Sequence, residues 1–126
     1  MPTVQSNSVP ITRLRRRKDF VSITRRGQKW ATPGLVLQSH RRKDAETTSR
    51  NGIRVGFTVT KKVGNAVIRN RARRRLKSAA LDVMVRHGQN LTDYVLIGRV
   101  GTLKRPYALL VSDLKTAMQR LNAYRA

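Results

Sequence analysis

The chain has 126 residues, 39% of them hydrophobic, with 28 Lys and Arg against 6 Asp and Glu, a formal net charge of +22. That length and apolar content support one modest core in one domain, and the charge calls for a polyanionic partner. With Cys at 0 there is no thiolate nucleophile, disulfide framework or Cys-containing zinc site, and apolar runs as short as residues 94–97 cannot span a bilayer, which favours nucleic acid over membrane.

Residues 1–13 read as a flexible tail, rich in Ser, Thr, Pro and Asn and without periodicity. They also lack the apolar h-region of a secretory signal, so a cytoplasmic location is expected. Residues 14–126 read as a single domain. Across 14–26, Phe20 and Ile23 stand three apart among basic neighbours, the pattern of a short amphipathic helix that Gly27 terminates. After a Pro33-Gly34 turn, residues 35–38 read as a strand and 53–60 as a second. In the second, Val55, Phe57 and Val59 share one face and Arg54, Gly56, Thr58 and Thr60 the other. The charged connection 41–52 ends in Asn51-Gly52 and reads as a long hairpin loop.

Residues 66–87 contain no Pro or Gly, and Ile68, Ala72, Leu76, Ala79, Ala80 and Val83 recur at three- and four-residue spacing. This predicts a long helix, entered through Gly64-Asn65 and closed by His87 and Gly88. Residues 94–99 predict a third strand. A final helix starts near Pro106, with Tyr107, Leu110, Leu114, Ala117, Leu121 and Tyr124 as its sheet-facing stripe. The order strand, long helix, strand implies a crossover between parallel strands. The fold class is therefore α+β, with helices packed on a small mixed sheet.

The cations of residues 61–77 are ordered. On a helix, Arg69, Arg73 and Lys77 form one row, Asn70 and Arg74 the neighbouring row, and Arg71 and Arg75 flank the opposite side. Like charges at this spacing oppose the helix by a few tenths of a kcal/mol each, roughly, and an RNA backbone reverses that sign. Guanidinium groups also bond phosphate oxygens in pairs and stack on exposed bases. Only 6 acidic residues are present, too few to neutralise the helix from within, so a merely solvated face is the weaker reading.

A self-sufficient nuclease needs clustered carboxylates holding metal or an acid/base pair at the scissile phosphate. Of Asp19, Asp44, Glu46, Asp82, Asp93 and Asp113, only Asp44 and Glu46 are close in sequence. His40 and His87 are the one conceivable acid/base pair, and each ends a regular element, where imidazoles are common. No phosphate-cradling glycine loop or hydrolase motif is present. No catalytic residue and no metal ligand is assigned.

Lys61-Lys62-Val63-Gly64-Asn65-Ala66-Val67-Ile68-Arg69-Asn70-Arg71-Ala72-Arg73-Arg74 resembles the signature of the bacterial ribonuclease P protein family, K-K-(V/I)-G-N-A-V-x-R-N-R-x-(K/R)-R. The resemblance extends to residues 13–27, around Asp19-Phe20, and to residues 54–60, and covers roughly 13–125 in order. It implies an α-β-β-β-α-β-α fold with a four-stranded sheet, an additional short strand near residues 29–31 and a left-handed crossover where general rules expect a right-handed one. It further implies a noncatalytic subunit, a monomer bound one-to-one to a catalytic RNA. That RNA performs the magnesium-dependent cleavage that matures the 5′ end of precursor tRNA.

Carried over residue by residue, the resemblance puts Lys61, Lys62, Asn65, Arg69, Asn70, Arg71, Arg73, Arg74 and Lys77 against the RNA. It makes Phe20, Val36, Thr58 and Thr60 candidates for a cleft that holds the 5′ leader. Thr24 and Gln38 stand where many relatives carry aromatics, and Lys77 and Ser78 where Arg and Glu are common. A ribosomal or other structural RNA-binding protein shares the composition and is the alternative; a protein-only ribonuclease using His40 or His87 is a third reading.

Overall fold

The computed structural model describes residues 10–42 and 52–126. In chain order the elements are β1 (Ile11–Arg13), α1 (Arg17–Arg26), β2 (Gln28–Ala31), β3 (Leu35–Arg41), β4 (Ile53–Thr58), α2 (Ala66–His87), β5 (Thr92–Gly98), a short 3₁₀ turn (Val100–Thr102) and α3 (Tyr107–Arg120). The strands make one five-stranded mixed sheet in the order β1-β4-β5-β3-β2. β1 and β5 flank β4 in parallel, and β5, β3 and β2 are antiparallel neighbours.

The period of two along each strand sorts the sheet into two faces. Leu35, Leu37, Val55, Tyr94 and Leu96 are buried on one face. Against them pack Ala72, Leu76, Ala79 and Val83 of α2 and Leu110, Leu114, Ala117 and Met118 of α3, in one cluster. Burying each large side chain there contributes about 1.5–3 kcal/mol, which is why α2 holds together despite its charge. Among the described residues the other face is covered by α1, whose Ile23 joins Leu14 and Val95 in a second, smaller cluster flanked by Phe20 and Ile97. That face is only partly covered and leaves grooves on both sides of α1.

The strand-helix-strand unit holds: α2 spans the expected residues and β4 and β5 are parallel neighbours. Three expectations change. The tail expected over residues 1–13 ends earlier, because Ile11–Arg13 pair with Ile53, Arg54 and Val55 as β1; residues 1–9 lie outside the described residues. The N–H of Leu14 continues that ladder to the Val55 carbonyl at 2.9 Å, so α1 begins at Arg17 and the sheet has five strands, not four. Residues 41–52 do not close a hairpin, since β5 lies between β3 and β4; 43–51 lie outside the described residues.

The physical reason for the inserted strand is legible in Asp93 of β5. Its carboxylate accepts hydrogen bonds from Arg42 Nη1 at 2.5 Å and from Arg54 Nε and Nη2 at 2.8 and 2.6 Å. One acid thus ties the chain after β3 to β4 across β5. The final helix stops at Arg120. Tyr124 lies beyond it, stacked on His87 with ring centroids 4.4 Å apart.

Candidate nucleic-acid interface

The entry to α2 is a built turn. Gly64 has φ +156°, and a Cβ there would lie 2.8 Å from Ile68 Cγ2, so the turn demands glycine. Asn65 then caps the helix, its Oδ1 accepting from the Ile68 N–H at 3.0 Å. The first turn contains no acidic residue, although the N-terminal dipole favours one. Lys61 and Lys62 precede it and Arg69 closes it, so dipole and side chains alike prepare this end for an external anion.

The nine expected contact residues all lie on the turn that enters α2 or on α2 itself. Lys61, Lys62, Asn65, Asn70, Arg71 and Arg74 are exposed, and Arg69, Arg73 and Lys77 are half-buried along the flank next to the sheet. Arg69 Nη1 donates to the Gly64 carbonyl at 3.1 Å and Arg73 Nη1 to Asn70 Oδ1 at 3.0 Å. These neutral partners orient the guanidinium groups without cancelling their charge. Arg75 behaves differently: its Nη2 donates to the Arg105 carbonyl and its buried Nε has no partner, so it ties α2 to the start of α3.

The four described acidic side chains are committed elsewhere. Asp19 and Asp93 face Arg54, at 3.6 and 2.6 Å, and Asp113 pairs with Arg105 at 2.9 Å. Asp82 accepts from the Tyr107 hydroxyl. Among the described residues, therefore, no carboxylate pairs with a cation of residues 61–77.

On the other face, α1 and the sheet enclose a groove of about 400 Å³ whose walls include Arg17, Phe20, Thr24, Gln38, Thr58 and Ile97. Phe20 and Thr58 meet there as expected. Val36 lies opposite Ile97 in the ladder and Thr60 is exposed beyond the end of β4; neither forms a wall. Thr24 returns its hydroxyl to the Phe20 carbonyl at 3.0 Å, leaving Phe20 as the groove's aromatic. Sequence reasoning missed the two cations on the helix side, Arg17 and Arg25. Their signal was the helical period: Arg17 precedes Phe20 by three residues, and Arg25 follows Val21 by four.

The histidines are separately engaged. His40 lines a polar groove with Arg42, Arg54 and Asp93. His87 stacks on Tyr124 and its Nδ1 donates to the Arg125 carbonyl at 2.8 Å. Among the described residues no group of three His, Asp or Glu is placed to hold a metal ion, and no helix is long and apolar enough to cross a membrane.

Comparison with known proteins gives a consistent result. Residues 10–122 match the Ribonuclease P family. The chain is 48% identical over 113 residues to the ribonuclease P protein component of Paramagnetospirillum magneticum, covering 90% of this chain and 84% of that one. It is also 48% identical over 108 residues to the component from Gluconacetobacter diazotrophicus, covering 86% and 89%. Among solved structures, a Staphylococcus aureus RNase P protein mutant with defective mRNA degradation activity superposes with a TM-score of 0.73 at 22% identity, over 88% of each chain. The RNase P protein of Thermotoga maritima does so at 0.67 and 22%, over 86% of this chain and 94% of that one. These likenesses extend to the fold the agreement seen in sequence.

Proposed function

The chain belongs to the ribonuclease P protein family, and from that membership we propose how its two surfaces divide the work. Its role is in ribonuclease P, the ribonucleoprotein endoribonuclease of tRNA 5′ maturation, in which the protein subunit is not itself catalytic. In the proposed arrangement the α2 face, from Lys61 and Lys62 through Asn65, Arg69, Asn70, Arg71, Arg73 and Arg74 to Lys77, sits on the catalytic RNA as a one-to-one complex. The groove of Phe20 and Thr58 receives the single-stranded 5′ leader of precursor tRNA. Magnesium acts through the RNA subunit, and the complex works in the cytoplasm.

The observation that carries this reading is electrostatic. Each described carboxylate is engaged away from residues 61–77, so the charge of α2 has no internal counterpart among the described residues. Neutralising like charges at helical spacing by phosphates converts a destabilising surface into a binding one. The groove supplies a complementary chemistry: one aromatic face for an unpaired base, with Arg17 and Arg25 for its phosphates.

Reconstitution tests it. Precursor tRNA is incubated at low magnesium with the catalytic RNA, with and without the protein, and with the protein alone. The expected result is cleavage that the protein stimulates and that needs the RNA. Cleavage by the protein alone, lost on substitution of His40 or His87, would overturn the reading, and so would the absence of stimulation.

A further inference from the structure

A third concave feature lies on the flank of α2, away from α1. Between β1, β4 and α2 is an open slot of about 220 Å³, walled by Ile11, Val55, Phe57, Leu81 and Met84. It is smaller than the roughly 300–1,000 Å³ of a drug-sized site, so it suits one ring system. Its lining is mostly apolar, the polar members being Thr12, Arg13 and Lys77. Neither cation pairs with a described carboxylate. Leu81, on this wall, is 59% exposed. Phe57 is only partly buried although it packs on the main core.

The position of the slot is what selects its occupant. Lys77 is the last member of the row that runs from Arg69 through Arg73, and it is both a cation of the RNA-facing surface and a wall of the slot. A polyanion lying along that row reaches the slot one helical turn further on. A second copy of this chain would bring +22 against +22, whereas RNA brings phosphates to Arg13 and Lys77 and a flat apolar base to Phe57.

We propose that this slot accepts one unpaired nucleobase of the RNA held on α2, with Phe57 as stacking surface and Arg13 and Lys77 on the flanking phosphates. The proposal rests on the reading of α2 as an RNA-binding face. The stacked base adds a contact of a different kind, one that is apolar and that contributes nothing to the salt slope set by the cations.

Two measurements on the full chain with the catalytic RNA separate the two claims. In the first, affinity is measured against salt for Phe57→Leu, which keeps the apolar volume and removes the ring, and for Leu81→Ala, which opens the wall at an exposed position. Both are expected to weaken binding, Phe57→Leu by about tenfold, the scale of one stacked base, with the slope of log K against log salt unchanged. In the second, Thr12→Cys, the chain's sole thiol, carries a photo-crosslinker. Crosslinks are expected at one or two unpaired nucleotides whose Watson–Crick edges become protected from dimethyl sulfate on binding.

If wild-type binding keeps its steep slope, and that slope shrinks when Arg69 and Arg73 are removed, while neither slot variant changes affinity and no nucleotide is crosslinked or protected, the slot proposal is wrong and the α2 reading stands. If removing Arg69 and Arg73 also changes nothing, both fall. Crosslinking from Thr12→Cys to a second protein copy in place of RNA would assign the slot to self-association and overturn the proposal.

Discussion

The ring of Phe20 lies over Gly56 so closely that a Cβ at residue 56 would sit 2.6 Å from Phe20 Cε1 and Cζ. Glycine in the middle of β4 thus sets how deeply the aromatic of α1 settles against the sheet, and with it the shape of the proposed leader groove. Gly56→Ala is expected to displace Phe20 and to destabilise the fold by about 1–3 kcal/mol through overpacking. With the holoenzyme, affinity for precursor tRNA should fall by several-fold while affinity for mature tRNA, which has no leader, stays level. Equal losses for both substrates would detach Phe20 from the leader.

The α2 face predicts a salt signature. Neutralising Z phosphates gives a slope of log K against log salt of about −0.9Z on a duplex or −0.7Z on a single strand. Replacing Arg69 and Arg73 together by Ala removes two contacts, so the slope should become shallower by about 1.4 to 1.8. Among the described residues their guanidinium groups bond the Gly64 carbonyl and Asn70, local contacts on the helix surface, so circular dichroism should show a folded chain. Arg75→Ala makes the contrast: its guanidinium bonds the Arg105 carbonyl, and its loss should lower stability with little effect on slope.

The contrast between Arg75 and its neighbours marks how far the sequence could be read. The period of the apolar residues located α2 from Ala66 to His87, because an amphipathic helix writes its burial into its spacing. The same periodicity put Arg75 among the cations, but whether a long side chain turns outward depends on what another element presents, here the start of α3. Likewise, nothing local in residues 11–13 or 41–52 distinguishes a tail from an edge strand, or a hairpin from a chain that leaves room for β5. That distinction rests on pairing with residues far along the chain, Ile53 for Ile11 and Asp93 for Arg42. The groove residues divide the same way: Phe20 and Thr58 came with the family resemblance and not from local pattern, and Arg17 and Arg25 needed the placement of α1.

Asp93 is 2% exposed and bridges Arg42 and Arg54. Removing the carboxylate leaves the buried guanidinium of Arg42 without its ionic partner, which costs about 3–5 kcal/mol. Asp93→Asn keeps the size of the side chain and removes the charge, so its urea midpoint should drop sharply. Asp82→Asn changes an exposed acid on α2 and should change stability by less than about 1 kcal/mol. A wild-type midpoint for Asp93→Asn would mean that Arg42 and Arg54 find other partners at no loss.

Tyr94 predicts an alkaline limit. Its buried hydroxyl donates to the Ala123 carbonyl at 2.6 Å and accepts from the Gln89 N–H at 2.9 Å, closing the chain end over the core. Burial pushes its pKa from 10.0 up to about 12, against the smaller opposing effect of the Gln89 hydrogen bond. Because the folded-state value is raised, the fold favours the neutral phenol. The associated stability, of the order of 2–3 kcal/mol, is present in full below pH 10 and is lost as pH rises through 12. Tyr94→Phe leaves the Gln89 N–H and Ala123 carbonyl without this partner, so at neutral pH it should be less stable by about 1–3 kcal/mol. It has no phenol to ionise, however, so the gap between wild type and Tyr94→Phe in denaturant midpoint should narrow between pH 10 and 12. A gap that stays constant across that window would show that the phenol does not drive the alkaline loss.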